Sequence, residues 1–81
     1  MDKPDAPDRV QDVSRFVKAR RKANRMTQES LAELAGVGRR LIVEIEKGKP
    51  TLRMDAVNAV LAVFGKTLGP LDLPRTGVHD A

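Results

Sequence analysis

The residues with the most distinctive chemistry are two adjacent arginines, Arg39 and Arg40, near the middle of the chain. A guanidinium donates two parallel hydrogen bonds to the N7 and O6 atoms of guanine, or to the oxygens of a phosphate. The pair follows the run GVG at residues 36–38 and precedes the aliphatic run LIV at residues 41–43. Taken alone, this stretch is compatible with a glycine-rich phosphate cradle, the start of a strand, or a turn that directs the arginines toward a partner.

The distribution of charge indicates an anionic partner. The chain of 81 residues has a net charge of +4, but residues 15–53 hold 11 Lys and Arg against 4 Asp and Glu, a net +7. The remaining residues hold 4 against 7, a net −3. With two phenylalanines and no Tyr or Trp, the chain lacks the aromatic platforms on which single-stranded nucleic acids stack. Duplex DNA is therefore the predicted partner.

The composition argues against several other classes of function. The absence of cysteine removes disulfides, Cys-based zinc sites and thiol nucleophiles. His79 lies in the tail, and Glu29 and Glu33 form a solvated pair without a nearby nucleophile, so neither suggests catalysis. The GVG run is not followed by Lys-Ser or Lys-Thr, which disfavours a nucleotide loop. No apolar run is long enough for a membrane span. We predict a cytoplasmic, non-enzymatic protein without metal or cofactor.

The spacing of the apolar residues predicts a series of short helices. Intervals of three and four place these residues on one side of each segment. The predicted helices span residues 8–23, 28–35, 39–47 and 55–64. Thr27 and Gly38 are suited to begin the second and third helices, and Gly36 to end the second in the left-handed conformation. The residues expected to face inward around this turn are Leu31, Ala32, Leu34, Ala35, Val37, Leu41, Ile42 and Ile45.

The ends of the chain are predicted to differ from its centre. Residues 1–7 read as a disordered leader, residues 8–74 as one domain, and residues 75–81 as a flexible tail. The fourth helix is apolar nearly all round, more than three short helices can cover, so we expect a second copy to cover the rest. The predicted dimer interface consists of Ala59, Val60, Val63, Phe64, Leu68 and Leu71. Pro70 cannot donate to a strand ladder and argues against a regular strand beyond Leu68.

Residues 28–47 contain the pattern of a helix-turn-helix unit. A small residue, Ala32, stands at the fifth position, where two helices must approach closely. Apolar residues fill positions 4, 8, 10, 15 and 18 of the unit, namely Leu31, Ala35, Val37, Ile42 and Ile45. This pattern resolves the opening alternatives in favour of a turn at Gly36 followed by a helix that carries the two arginines.

The runs TQESLAELAGV and IVEIEKG resemble the Cro/repressor-type (XRE) helix-turn-helix family, with a match over about residues 13–65. Within that family, GVGRRLIVEIEKGKPTLRMDAVNAVL at residues 36–61 is similar to the third and fourth helices of HipB-like antitoxins. The resemblance implies an all-α, four-helix repressor-like domain with a short extended C-terminal dimerisation segment. It also implies a homodimer that binds a palindromic operator.

The orientation of side chains on the third helix assigns the DNA contacts. Gly38, Arg39, Arg40 and Val43 lie opposite the inward Ile42 and Ile45 and are expected to contact bases. The alternative for Arg40 is a phosphate contact only, and the alternative for Val43 is packing against a neighbouring helix.

Phosphate contacts are expected from residues at the helix ends. Thr27, Lys47 and Lys49 are assigned to phosphates, and the resemblance assigns Gln28 a backbone or base-edge contact. The alternative for the two lysines is a merely solvated pair. Two roles are possible for Glu44. Its carboxylate either accepts a hydrogen bond from cytosine N4, or it faces solvent and repels wrong sequences.

The family resemblance carries two further implications. Glu46 is expected to form a structural ion pair with an arginine of the first helix, Arg21, with Arg20 as the competing partner. The HipB-like segment implies an antitoxin that represses its own operon and neutralises a HipA-type kinase toxin. The alternatives are a free-standing phage-type or restriction-controller repressor, and a protein-binding module that has lost DNA binding.

Overall fold

Four α-helices account for most of residues 9–72, the part of the chain that a computed structural model describes. They are α1 (Arg9–Ala23), α2 (Gln28–Ala35), α3 (Arg39–Lys47) and α4 (Met54–Val63). No strand occurs within residues 9–72, so the predicted all-α fold is confirmed. None of the four helices combines the length and apolar composition that a bilayer crossing needs. The predicted leader, both ends of the predicted domain and the predicted tail involve residues 1–8 and 73–81, which lie outside the described residues. The side chains of residues 9–11 are also outside the description.

The two ends of α2 are formed by residues that the sequence singled out. Thr27 begins α2 in an extended conformation, and its Oγ1 accepts a hydrogen bond from the N–H of Ser30 at 2.9 Å. Gly36 ends α2 with φ 73°, a left-handed conformation that other residues adopt at a cost. In that conformation the N–H of Val37 donates back to the last turn of α2, to the carbonyl of Ala32 at 3.0 Å. The direction in which α3 leaves α2 is fixed by this closure.

The turn between α1 and α2 holds a conformation that the sequence gave no reason to expect. Arg25 has φ 57°, and within residues 9–72 no other non-glycine residue has a positive φ. The N–H groups of Arg25 and Met26 donate to the carbonyls of Lys22 and Arg21, both at 3.0 Å, and so close the end of α1. Here an arginine does what Gly36 does after α2, although a side chain makes the left-handed conformation less favourable.

The core lies where the four helices meet. It consists of Val17, Leu31, Ala32, Ile42, Ile45, Val57, Val60 and Leu61. The prediction that Leu34 faces inward is wrong, because its side chain is 66% exposed. At about 100° per residue, Leu31, Ala32 and Ala35 share one side of α2, while Leu34 lies about 60° beyond that arc.

α4 leaves less apolar surface exposed than the sequence suggested. Val60, expected at a dimer interface, is 0% exposed within its own chain, so it has no surface to offer a second copy. Phe64 packs edge-on against Phe16, with ring centroids 6.0 Å apart and an interplanar angle of 82°. Ala59 and Val63 are half-buried and Ala62 is exposed. The apolar surface of α4 is thus a narrow strip.

The segment after α4 is attached to its own helix. The side-chain oxygen of Asn58 accepts hydrogen bonds from the N–H of Leu68 at 2.7 Å and from the hydroxyl of Thr67 at 3.2 Å. Leu68 is half-buried against the core, whereas Leu71 is 70% exposed. Residues 66–72 adopt no regular secondary structure.

A nearly buried ion pair ties α1 to the end of α3. Nε of Arg21 donates to Oε2 of Glu46 at 2.6 Å, and its Nη2 donates to Oε1 at 3.1 Å. The two side chains are only 11% and 5% exposed. Glu46 therefore meets Arg21, as predicted, while the competing Arg20 stacks over the ring of Phe16 at 4.8 Å.

The environment of the pair changes the proton affinity of both groups. Burial alone would raise the pKa of Glu46, but hydrogen bonds from Arg21 and Gln28, with the charges of Arg21 and Lys18, outweigh burial and lower it from 4.5. The hydrogen bond to Glu46 raises the pKa of Arg21, against the effect of burial. The folded chain therefore favours the ionised form of Glu46.

Replacement of Glu46 by Gln should destabilise the fold and remove part of its acid sensitivity. Because the pKa of Glu46 is lowered by folding, its contribution is present above the ordinary value of 4.5 and is lost as pH falls through the folded-state pKa. We expect E46Q to lower the free energy of unfolding by about 2–3 kcal/mol at neutral pH, measured by urea denaturation. The difference from wild type should shrink below pH 4.5.

The control is E33Q, which removes an exposed carboxylate from α2 and should change stability by less than about 0.5 kcal/mol. Equal effects of E46Q and E33Q at neutral pH would contradict a stabilising role for the pair.

Gly36→Ala should be costly because of backbone conformation alone. No heavy atom lies within 4 Å of the added Cβ, so the cost is that of φ 73°, about 1 kcal/mol in the free energy of unfolding. Gly38 gives the matched control: its Cβ also meets open space, but its φ is −79°. For G38A, a weaker helix cap and a less flexible unfolded chain nearly offset each other, so we expect a change under about 0.5 kcal/mol. Equal losses in the two variants would count against this explanation.

Candidate nucleic-acid interface

The first turn of α3 presents its arginines to solvent. Arg39 and Arg40 are exposed, and the side chain of Arg40 is 90% exposed. Ile42 and Ile45, on the opposite side of the same helix, are buried in the core. Burial of these two residues holds α3 in place, so the arginines project from a rigid element.

The other two residues expected to contact bases frame the arginines. Gly38 precedes α3 in an extended conformation, and it is exposed with open space around it. Val43 is half-buried, one turn further along the helix. A glycine at the start of α3 lets another backbone approach closely, and a partly exposed valine offers a small apolar surface beside the arginines.

Gln28 connects the buried ion pair to the arginines. Its Nε2 donates to Oε1 of Glu46 at 3.2 Å, and its Oε1 accepts from Nη2 of Arg39 at 3.5 Å, the outer limit of a hydrogen bond. A chain of polar contacts thus runs from Arg21 through Glu46 and Gln28 to Arg39. Sequence reasoning gave Gln28 a DNA contact and missed its contact with Glu46.

The start of α2 carries free backbone donors. Thr27 satisfies the N–H of Ser30 through its hydroxyl and the N–H of Leu31 through its carbonyl. The N–H groups of Gln28 and Glu29, at the first two positions of the helix, have no acceptor among the described residues. Together with the positive end of the helix dipole, they favour an anion at this end of α2.

The two lysines around the end of α3 differ in their surroundings. Lys47 is exposed, and no carboxylate among residues 9–72 is within ion-pair distance of it. The Nζ of Lys49 lies 3.5 Å from Oε2 of Glu44, and Nε of Arg40 lies 3.4 Å from the same oxygen. Glu44 therefore bridges the first turn of α3 and the loop that follows the helix.

Some basic residues are already neutralised within the chain. Nη2 of Arg53 lies 2.8 Å from Oδ2 of Asp55, at the start of α4. Hydrogen bonds from Arg53 and from the N–H of Ala56 lower the pKa of Asp55. Arg39 and Lys47 have no such carboxylate partner within the described residues, so both side chains are available to an anionic ligand.

Ser14 supports the site although sequence reasoning did not select it. It is 5% exposed, and its Oγ donates to the backbone carbonyl of Glu46 at 2.7 Å. The available signal was its position, three residues before Val17 and seven before Arg21, which places it on the inner side of α1. Ser14 and Arg21 thus hold the last turn of α3 through its backbone and its side chain.

The comparisons with known proteins agree with this arrangement. Residues 17–71 match the helix-turn-helix family, a range that includes α2, the turn at Gly36, α3 and α4. The chain is 43% identical over 54 residues to an uncharacterized HTH-type transcriptional regulator, y4mF, of Sinorhizobium fredii. That alignment covers 67% of this chain and 71% of the relative. Together with the packing of α2 against α3, these matches show that the chain belongs to the helix-turn-helix family of DNA-binding domains, of the Cro/repressor (XRE) type.

Proposed function

We propose that this protein is a sequence-specific transcriptional repressor that binds duplex DNA by inserting α3 into the major groove. The observation that carries the proposal is the division of α3 into a buried side, Ile42 and Ile45, and an exposed side with Arg39 and Arg40. A major groove about 12 Å wide accepts such a helix. The activity is binding, and repression follows from blocking a promoter.

The residues of the exposed side have different proposed roles. Arg39 and Arg40 donate to guanine N7 and O6, each such bidentate contact being worth roughly 1–3 kcal/mol of discrimination. Gly38 allows the start of α3 to lie close to the DNA, and Val43 contacts a thymine methyl. Gln28, held by Glu46, is a fixed polar group beside Arg39.

The contacts with the DNA backbone surround this base-reading surface. The free N–H groups of Gln28 and Glu29 suit a phosphate on one side. The Thr27 hydroxyl, which donates to Oγ of Ser30 at 2.9 Å in the free protein, would turn from that partner to the same phosphate. Lys47 and Lys49, at the other end of α3, suit a phosphate on the other side. Contacts at both ends of α3 would fix its register in the groove.

We further infer that the protein acts as a homodimer. The supporting features are the narrow apolar strip of Ala59, Ala62 and Val63 and the exposed Leu71. Leu71 also lines an apolar groove of about 700 Å³, formed with Phe16, Leu61, Leu68 and Pro70 among others. Leu68 and Phe64, which pack on their own chain, would contribute only their outer edges. Two copies of α3 related by a twofold axis would then read half-sites about 34 Å apart.

The finer biological role that we propose is that of a HipB-like antitoxin. The support is the similarity of residues 36–61 to the third and fourth helices of that group. Such a protein represses its own operon and neutralises a HipA-like kinase toxin. The test is co-purification of the full-length protein with the product of the adjacent gene. A kinase-like partner that binds it supports this role, and a gene neighbourhood without one favours a free-standing repressor.

Replacement of the exposed arginines should separate recognition from general attraction. We expect R39A to weaken binding to the protein's own promoter DNA by about tenfold or more and to relax base preference, measured by gel shift. K47Q should instead weaken binding to all sequences alike and reduce the slope of log K against log salt by about one.

The control is R15A, which replaces an exposed arginine of α1 outside the helix-turn-helix unit. If R39A bound promoter DNA as R15A does, the assignment of α3 as the reading helix would be wrong. Failure of the wild-type protein to bind would favour the protein-interaction alternative.

A charge placed on the apolar strip should separate the two copies. We expect V63E to convert a dimer into a monomer in analytical ultracentrifugation, because a carboxylate cannot be buried there without a partner. L34E is the matched control, since Leu34 is an exposed leucine on α2, outside the proposed interface. A V63E protein that stays dimeric would contradict the proposed interface, and a monomeric wild type would contradict the dimer itself.

A further inference from the structure

Glu44 is a carboxylate on the helix proposed to enter DNA, where a negative charge faces repulsion from phosphates. The other glutamate of α3, Glu46, lies two residues later and is turned inward to Arg21. Glu44 instead is 25% exposed and lies beside two cations. Its place on α3 therefore calls for a function other than that of Glu46.

Glu44 contacts the guanidinium of Arg40 along the edge that carries Nε. Oε2 of Glu44 lies 3.4 Å from Nε of Arg40, which is four residues earlier on the same side of the helix. A guanidinium has five N–H donors in a plane, and the Nε edge takes only part of them. The two terminal nitrogens of Arg40 make no hydrogen bond with another described residue, and the side chain is 90% exposed, so they are accessible to a ligand. These are the donors that an end-on contact with guanine N7 and O6 uses.

The same carboxylate oxygen also restrains Lys49. The distance from its Nζ to Oε2 of Glu44 is 3.5 Å, so one oxygen attracts a cation from α3 and a cation from the loop after it. If both cations move to phosphates, Glu44 is left without compensation beside the DNA backbone. If Arg40 contacts a guanine through its terminal nitrogens, it keeps Glu44 at its Nε edge.

We propose that Glu44 is a specificity-determining positioning residue. By holding Arg40 through Nε, it favours the guanine contact of Arg40 over a phosphate contact, and it thereby penalises DNA that lacks the matching guanine. This inference rests on the proposed function of α3. A negative charge that disfavours wrong partners more than the right one increases selectivity at some cost in total affinity.

The alternative role, direct acceptance from cytosine N4, uses the same carboxylate differently. It requires an oxygen of Glu44 to face a base edge, and in the free protein both cations lie near the other oxygen, Oε2. Positioning makes the effect of Glu44 depend on Arg40 and Lys49, and direct reading does not. That dependence distinguishes the two roles.

The test measures selectivity of the full-length chain for two duplexes. One is the tightest duplex recovered by selection from a random pool, and the other is a shuffled duplex of equal length and composition. We expect E44Q to strengthen binding to the shuffled duplex and to reduce the ratio of the two affinities by about three- to tenfold. E33Q, which removes an equal charge from the exposed face of α2, should leave the ratio unchanged.

A second comparison places E44Q in an R40Q K49Q background. We expect E44Q to have no further effect on the ratio there, because the cations that Glu44 positions are gone. An unchanged ratio for E44Q in the wild-type background overturns the inference but leaves the proposed function intact. An equal fall in both backgrounds overturns it in favour of direct reading of a base. A wild-type chain that does not distinguish the two duplexes overturns both the inference and the proposed function.

Discussion

The carboxylate of Glu46 is the contact on which the position of α3 depends. Arg21 of α1 binds it at both oxygens, and Gln28 of α2 donates to one of them. Burial of Ile42 and Ile45 holds α3 against the core, but apolar contact is non-directional and permits rotation about the helix axis. Hydrogen bonds have preferred angles, so those to Glu46 fix that rotation and with it the direction of Arg39 and Arg40.

Two glutamates on α3 therefore serve opposite sides of one helix. Residues two apart on a helix are separated by about 200°, so when Glu46 is directed inward, Glu44 is directed outward. Each glutamate pairs with an arginine. The first pair is nearly buried and holds the fold together, whereas the second joins a half-buried Glu44 to an Arg40 side chain that is 90% exposed, so water weakens it. The same chemistry, an arginine with a glutamate, gives rigidity on one side and selectivity on the other.

Local signals explain why most of the fold was predictable. Thr27 caps α2 through its side chain and Gly36 ends it in a left-handed conformation, so the bounds of α2 follow from the sequence. The family resemblance supplied the pairing of Arg21 with Glu46, which residue spacing alone does not reveal. The errors at Leu34 and Val60 have a different origin, because the side that a helix buries depends on where its neighbours pack. The hydrogen bond of Ser14 with Glu46 joins residues 32 positions apart, so no local signal reveals it. The contacts of Asn58 and Glu44 join nearer residues, but they depend on the path of the chain after α4 and after α3.

The proposed role of α3, held by Glu46, is to read base sequence in duplex DNA. Selection of duplexes by the full-length protein from a random pool, followed by sequencing, tests it most directly. We expect enrichment of an inverted repeat whose half-sites contain guanine and lie about ten base pairs apart, centre to centre. Recovery of DNA without any enriched sequence would contradict it.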